Sequence, residues 1–215
     1  MASTNEIYVS VDVESDGPIP GVYSMLSLGA AAFKLVPTNE DKDGWDQVGD
    51  VFDVNLLQLP DAIEDPGTMK WWNTQPEAYS ATQKDQLPAK EAMEKFRDWL
   101  LGLSTKKDTL VFLGYPVTFD FMFVYWHYVK FVGFPAPFGF RALDMRTLGM
   151  DRLNVGYHEF SKEMCPKDWF REAPEAESHL ASQDALFQGA WCMNMLMDER
   201  RAQYTPLPGT SEGKQ

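Results

Sequence analysis

The sequence predicts an α/β domain built on a mixed sheet, and three observations carry that reading. Ile7 to Val13 reads Ile-Tyr-Val-Ser-Val-Asp-Val, a β-branched run of strand length. Two further apolar runs follow, Ser24 to Val36 and Val48 to Leu57. Beyond them helical and strand-like patterns alternate, the order expected when helices are wrapped around a sheet begun by consecutive strands.

The first run ends in acids and then in the turn formers Ser15-Asp-Gly-Pro18, which predicts a core strand with carboxylates near its C-terminal end. With the polar segment Pro37 to Gly44 between them, the second and third runs complete an antiparallel meander of three strands. Pro88 opens a helical pattern in which Ala92, Phe96, Trp99, Leu100 and Leu103 follow the 3.6-residue period. Thr109 to Leu113 is strand-like again, Phe119 to Phe131 reads as a buried helix, and a last helix is expected from about Ser182 to Glu199. No repeat, low-complexity tract or linker divides residues 1–201, which are expected to form a single domain. The Pro/Gly/Ser/Thr-containing tail over 202–215 is expected to be disordered.

A content of 44% hydrophobic and 24% charged residues in 215 is ordinary globular usage and excludes a wholly disordered chain. No apolar stretch reaches the roughly 18 residues that span a bilayer, and Met1-Ala-Ser-Thr-Asn-Glu lacks the basic and apolar regions of a signal peptide, so a cytoplasmic protein is expected. Cys165 and Cys192 lack CxxC or Cys/His spacing, which argues against a disulfide framework and a thiolate zinc site. Asp12-Val-Glu-Ser-Asp-Gly contains no glycine-rich phosphate loop, so Rossmann and P-loop readings are poor. A net charge of −13, spread evenly, would repel nucleic acid. It is not spread evenly. Residues 1–66 hold 13 acids against Lys34 and Lys42, whereas the remainder holds 19 acids and 17 bases, and an acidity so placed asks for a chemical reason.

Asp12 and Glu14 are two apart on the first strand, so their side chains share a face and can approach one cation together. The plain alternative is a solvated strand end. In Gly114-Tyr-Pro-Val-Thr-Phe119-Asp120 an apolar strand ends in glycine and an acid stands at the entrance to an apolar helix, where the helix dipole alone would also favour it. Asp184 lies in the first turn of the last helix, with His179 five residues earlier in Ser178-His-Leu-Ala181, a place suited to a mobile catalytic segment or to a structural histidine.

The combination is more specific than any part. An early Asp-x-Glu, a central Phe-Asp after a strand and glycine, and a late His-x-Ala-x-x-Asp opening a helix resemble the three motifs of the DEDDh exonucleases of the DnaQ-like, ribonuclease H-like superfamily. The resemblance covers Tyr8 to about Gly189. It implies a ribonuclease H-like mixed sheet of five strands, the later ones parallel to the first, flanked by helices. It further implies that Asp12, Glu14, Asp120 and Asp184 hold two divalent ions, Mg²⁺ or Mn²⁺, whose charge would cancel theirs. His179, of the side-chain type that titrates nearest neutrality, would be the general base. The product would be a nucleoside 5′-monophosphate released from a single-stranded RNA or DNA 3′ end.

Leu143-Asp144-Met-Arg-Thr-Leu148 is similar to an Asp-Thr segment that often lies between the second and third motifs, which points to Asp144 as a supporting residue. In one respect the chain departs from the family: Tyr115 and Pro116 stand where the second motif commonly has His-Asn. Met69-Lys-Trp71-Trp72-Asn-Thr-Gln75 resembles a stretch in small prokaryotic and phage 3′-to-5′ exonucleases. Trp71 and Trp72 would stack on terminal bases, belong to the core or join two copies in a homodimer. Ser15 and Phe119, beside the first two motifs, are further candidates to meet the terminal nucleotide. RNA is slightly favoured over DNA on the Trp-Trp-x-x-Gln likeness. The competing readings are a DNA-specific exonuclease and a non-catalytic nucleic-acid-binding or regulatory module on the same fold, the latter opposed by the presence of all five motif positions.

Overall fold

A computed structural model describes residues 5–36, 44–105, 107–171, 173 and 179–198. The tail over 202–215 and Glu199, to which the last helix was expected to run, lie outside the described residues. Strand β1 (Glu6–Ser15) is central to a mixed sheet. On one side it pairs antiparallel with β2 (Met25–Leu35), and on the other it pairs parallel with β5 (Thr109–Gly114), which pairs parallel with β6 (Ala142–Asp144).

Of the expected third run, Val48 to Leu57, only the middle is a strand, and a further short strand lies ahead of it, outside the expected bounds. Strand β3 (Trp45–Gln47) and strand β4 (Phe52–Asn55) both pair antiparallel with β2, along Phe33 to Leu35 and Ser27 to Ala30 respectively. Between them Gly49 takes a left-handed φ of 69°, a conformation open to glycine and costly in a strand. Among the described residues six strands therefore occupy five positions, in the order β3 and β4, then β2, β1, β5 and β6.

Alternation along β1 sorts the helices onto two faces. Ile7, Val9, Val11 and Val13 enter a core with α3 (Ala89–Leu103) and α4 (Val117–Phe131), in which Phe96, Leu100, Phe123 and Val124 are fully buried. Tyr8 on the opposite face joins a second core with α6 (Ala181–Met197), whose Trp191, Cys192, Met193 and Met195 are buried with Trp169. The even-numbered side of β1, which carries Asp12 and Glu14, thus looks toward α6. Both cysteines are free and buried, and burial pushes each thiol up to about 12.

Three helices are additional to those read from the sequence. Helix α1 (Pro66–Trp72) begins at the Asp65 cap, whose carboxylate accepts from the Thr68 N–H at 2.7 Å, and α2 (Pro76–Thr82) follows after a three-residue turn. Helix α5 (Met145–Leu153) is capped by Asp144 and ends at Asn154 in the left-handed conformation.

Candidate active site

The end of β1 is where the chain gathers its acids. A register shift between Glu14 and Ser15 breaks the ladder with β2, the kind of bulge that re-aims a strand's side chains. Beyond it Asp16 is buried, and its carboxylate accepts from the Ser24 N–H at 2.6 Å and from Gln58 at 3.1 Å, which closes the loop that leaves the strand. Part of the N-terminal acidity is explained here: Asp12 and Glu14 face the site, Asp16 holds the loop, and Asp65 caps α1.

Asp120, in the first turn of α4, is 5% exposed and accepts a hydrogen bond from the Val13 N–H at 3.1 Å, so it reaches the strand between Asp12 and Glu14. Gly114 eases that approach, since a Cβ there would lie 3.0 Å from Asp120 Oδ2 and 3.1 Å from Val117 Cα, tighter than ordinary contact. Helix α6 brings Asp184 from the opposite face. Its seat is set by Gly29 in β2, where a Cβ would lie 2.1 Å from the Ala181 carbonyl carbon, and by buried Gln188, which donates to the Val11 carbonyl at 2.6 Å. Glu14, His179 and Asp184 each offer one ligand atom, all within 4.8 Å of one another.

The electrostatics follow from that crowding. Burial first, then the charges of Asp120, Glu14 and Asp184, raise the Asp12 carboxyl well above the usual carboxylate range. Burial and the neighbouring Asp184 and Asp120 push Glu14 up to about 8. Asp120 is raised to about 7 by burial, against the pull of the backbone hydrogen bonds it accepts. Carboxylates crowded in this way repel one another, and a bound cation would relieve that repulsion. Hard oxygen donors in such a cluster suit Mg²⁺ or Mn²⁺, so the residues present fit the divalent ions implied by the sequence motifs.

His179, separated from α6 by Leu180 alone, has a left-handed φ of 49°, which for a residue with a Cβ costs about 1–3 kcal/mol. Its ring meets Trp71 edge to face, with centroids 5.0 Å apart. A cleft of about 320 Å³ opens beside it, between β4, the end of α2 and the start of α6, and is lined by Asp53, Asn55, Lys84 and Ser182 among others.

The remaining sequence candidates divide. Trp71 is 40% exposed, beside His179. Trp72 is 1% exposed, packs with Leu26 and Ala78, and donates from its indole to the Ser15 carbonyl at 2.9 Å; of the roles open to it, the core is the one its position serves. Ser15 is itself buried, and its hydroxyl is taken up by the Gly17 carbonyl at 2.8 Å. Phe119 is half-buried against Phe123 in the first core. Tyr115 stands edge-on to Trp191 in the second core, so the position of the usual His-Asn pair serves packing here. Gln188 and Gly29 are the supporting residues that sequence reasoning missed. A glutamine one turn beyond Asp184 in an apolar helix is a legible signal; a glycine in a strand is a weak one.

A mixed sheet of this order, with acids from its first strand and two helices converging at the strand's end, is the ribonuclease H-like architecture of the DEDDh 3′-5′ exonucleases. The chain belongs to the 3′-5′ exoribonuclease Rv2179c-like family, whose profile matches residues 8–196, and it is a 3′-5′ exonuclease. It is 33% identical over 149 residues to the 3′-5′ DNA exonuclease Cap18 of Escherichia coli, covering 69% of this chain and 70% of that protein. Among solved structures it resembles in fold the nuclease domain of 3′hExo, a DEDDh family member bound to rAMP, with a TM-score of 0.62 and 11% identity over 90% of this chain and 92% of that one. It also resembles S. pombe Pop2p in its Mg²⁺- and Mn²⁺-bound form, with a TM-score of 0.56 and 13% identity over 90% and 87% of the two chains. Among the described residues no helix is long and apolar enough to cross a membrane.

Proposed function

We propose that this exonuclease removes single nucleoside 5′-monophosphates from the free 3′-hydroxyl end of single-stranded nucleic acid, with RNA preferred, using two divalent ions held by Asp12, Glu14, Asp120 and Asp184. The observation that carries the reading is the convergence of these four carboxylates and His179 at the end of β1, from three elements remote in sequence. Bound Mg²⁺ or Mn²⁺ would supply an activated water, a clamp on the phosphate and stabilisation of the leaving 3′ oxygen.

The chain's own residues do the rest. His179 stands within 4.8 Å of the Glu14 and Asp184 ligand atoms, within reach of a water held there, and takes its proton as general base. Trp71, exposed beside it, offers a face for the last base, which tolerates any sequence because every base has a π surface. Trp72 holds Ser15 from behind, and the buried loop through Asp16 keeps the end of β1 in place. The cleft beside His179 takes the following nucleotides, with Lys84 in its lining to meet phosphate. The family's description as exoribonucleases supports RNA, while the Cap18 relative supports a second reading, DNA.

Matched 5′-labelled single strands of RNA and DNA, incubated with Mg²⁺ or Mn²⁺ and with chelator, test this. A ladder shortening one nucleotide at a time in metal alone, faster on RNA, is the expected result. Faster shortening of DNA would select the second reading, and metal-independent shortening would remove the proposed chemistry.

A further inference from the structure

Helix α4 has no side-chain cap from its own N-terminal flank, where Pro116 stands. A cap comes from elsewhere in the chain. Asp144, the half-buried last residue of β6, accepts from the Val117 N–H at 3.2 Å through Oδ1. Its Oδ2 meanwhile accepts the N–H of Thr147 at 2.9 Å and the Thr147 hydroxyl at 2.5 Å, capping α5. One carboxylate thus closes the starts of two helices. Val117 is three residues before Asp120, in the same first turn, and Asp120 accepts from Val13 between Asp12 and Glu14. A line of hydrogen bonds runs from β6 through α4 to the strand that carries the first two acids.

We infer that Asp144 is a positioning residue for the reaction: by tying down the first turn of α4 it sets where Asp120 stands against Asp12 and Glu14. The inference rests on the reading of Asp120 as a metal ligand. An uncapped N-terminus leaves its first N–H groups without intrahelical partners and loosens the turn that contains them. Asp120 lies in that turn, and a misplacement of about 1 Å at a reacting centre can cost about 100-fold in rate. Capping α5 needs Oδ2 alone. The second bond, from Oδ1 across 27 residues in sequence, serves α4.

Two variants cut that bond from opposite ends. Asp144→Ser keeps a favoured cap for α5 and is too short to reach Val117. Val117→Pro removes the donor at the first helical position, which proline suits, and Pro116 already has the ψ of 137° that a residue before proline requires. Mn²⁺ affinity of the apo-protein by calorimetry, kcat and KM on a labelled strand, and thermal denaturation are measured for each. Both variants are expected to bind Mn²⁺ about 10-fold more weakly and to lose about 10- to 100-fold in kcat, the range found when the group that orients a ligand is lost. KM for the strand should change little, high Mn²⁺ should restore most of kcat, and the double variant should be no worse than the worse single one. Native Mn²⁺ affinity and native kcat per folded molecule in both variants, with only the melting temperature lowered, would make Asp144 a helix cap alone and overturn the inference. Asp120→Ala is the reference. If it binds Mn²⁺ as the wild type does, this inference and the metal-ligand reading fall together; if it is defective while both bond-cutting variants are native, only this inference falls.

Discussion

The indole of Trp71 stands edge-on to the imidazole of His179, with ring centroids 5.0 Å apart and planes at 85°. Its neighbour Trp72 points the other way, into the core, 1% exposed. Adjacent tryptophans on one short helix therefore have separable tasks. Trp71→Ala should leave the fold intact and raise KM for a single strand about 10-fold, within the range of about 1–3 kcal/mol per stacked base, while Trp71→Phe should retain most of the affinity. Trp72→Ala should instead cost about 3–5 kcal/mol of stability. Steady-state kinetics beside denaturant melts will separate the two, and a Trp71→Ala protein with native KM would remove the base-stacking role.

Asp12→Ala and Asp184→Ala should abolish turnover while leaving the apo-protein as stable as the wild type or more so, because each removes a like charge from a crowded cluster. His179→Ala should differ from both, retaining most Mn²⁺ binding and slowing the chemical step by about 10²- to 10⁴-fold. Single-turnover kinetics and calorimetry on the same preparations check this. Variants of the acids that unfold, yet are fully active per folded molecule, would make the acids structural.

The pH dependence of stability has a definite sign. Glu14 and Asp120 are raised in the folded chain to about 8 and about 7, from 4.5 and 3.8, so the folded state keeps protons that the unfolded state releases. Their contribution is full below about pH 4, falls progressively as pH rises past the unfolded values of 3.8 and 4.5, and is lost once pH passes about 7 to 8. His127, buried in α4 with Nδ1 donating to the Phe123 carbonyl, is lowered by burial from 6.5 to about 4 and acts in the opposite direction, its contribution being lost as pH falls below 6.5. Without metal the melting temperature should peak on the acid side of neutrality and decline toward pH 8.5. Mn²⁺, which favours the ionised carboxylates, should flatten that decline. Scanning fluorimetry from pH 5 to 8.5 with Mn²⁺ or chelator reads it directly; a chelated protein most stable at pH 8.5 would contradict the carboxylate assignment.

A strand blocked by a 3′-phosphate adds charge beside the acids and removes the expected hydroxyl, so its degradation should nearly stop. A circular single strand should survive. Cutting of the circle at the linear rate would make the enzyme an endonuclease on the same carboxylates.

Gly29→Ala should cost about 1–3 kcal/mol and slow turnover more than that loss explains, because the contact it strikes is the backbone of Ala181 rather than a side chain that can turn away. Activity normalised to folded protein tests this, and a native value would show that α6 adjusts without moving Asp184.

What could be read from the residues alone was the part governed by local pattern. The alternation in Ile7 to Val13, the period in Ala92 to Leu103 and the acids at element ends all survive translation into three dimensions. Helices α1 and α2, at seven residues each, are too short to display an apolar stripe. Strand β6 is three residues long and forms because β5 offers it an edge, which no local signal in Ala142–Asp144 announces. At the site, three motifs in order singled out Asp12, Glu14, Asp120, His179 and Asp184 as candidates, and the fold gathers them at the end of β1. Gly29 and the inward turn of Trp72 were not legible, since both depend on which element lies above them.

The interruption at Gly49 leaves one margin of the sheet as a three-residue and a four-residue piece, and the other margin, β6, is three residues long. Neither presents the long unbroken row of N–H and C=O groups that invites a second chain to zip on, the usual route to edge-to-edge aggregation. Among the described residues, both margins of the sheet are thus poor templates for strand-on-strand pairing with a second copy.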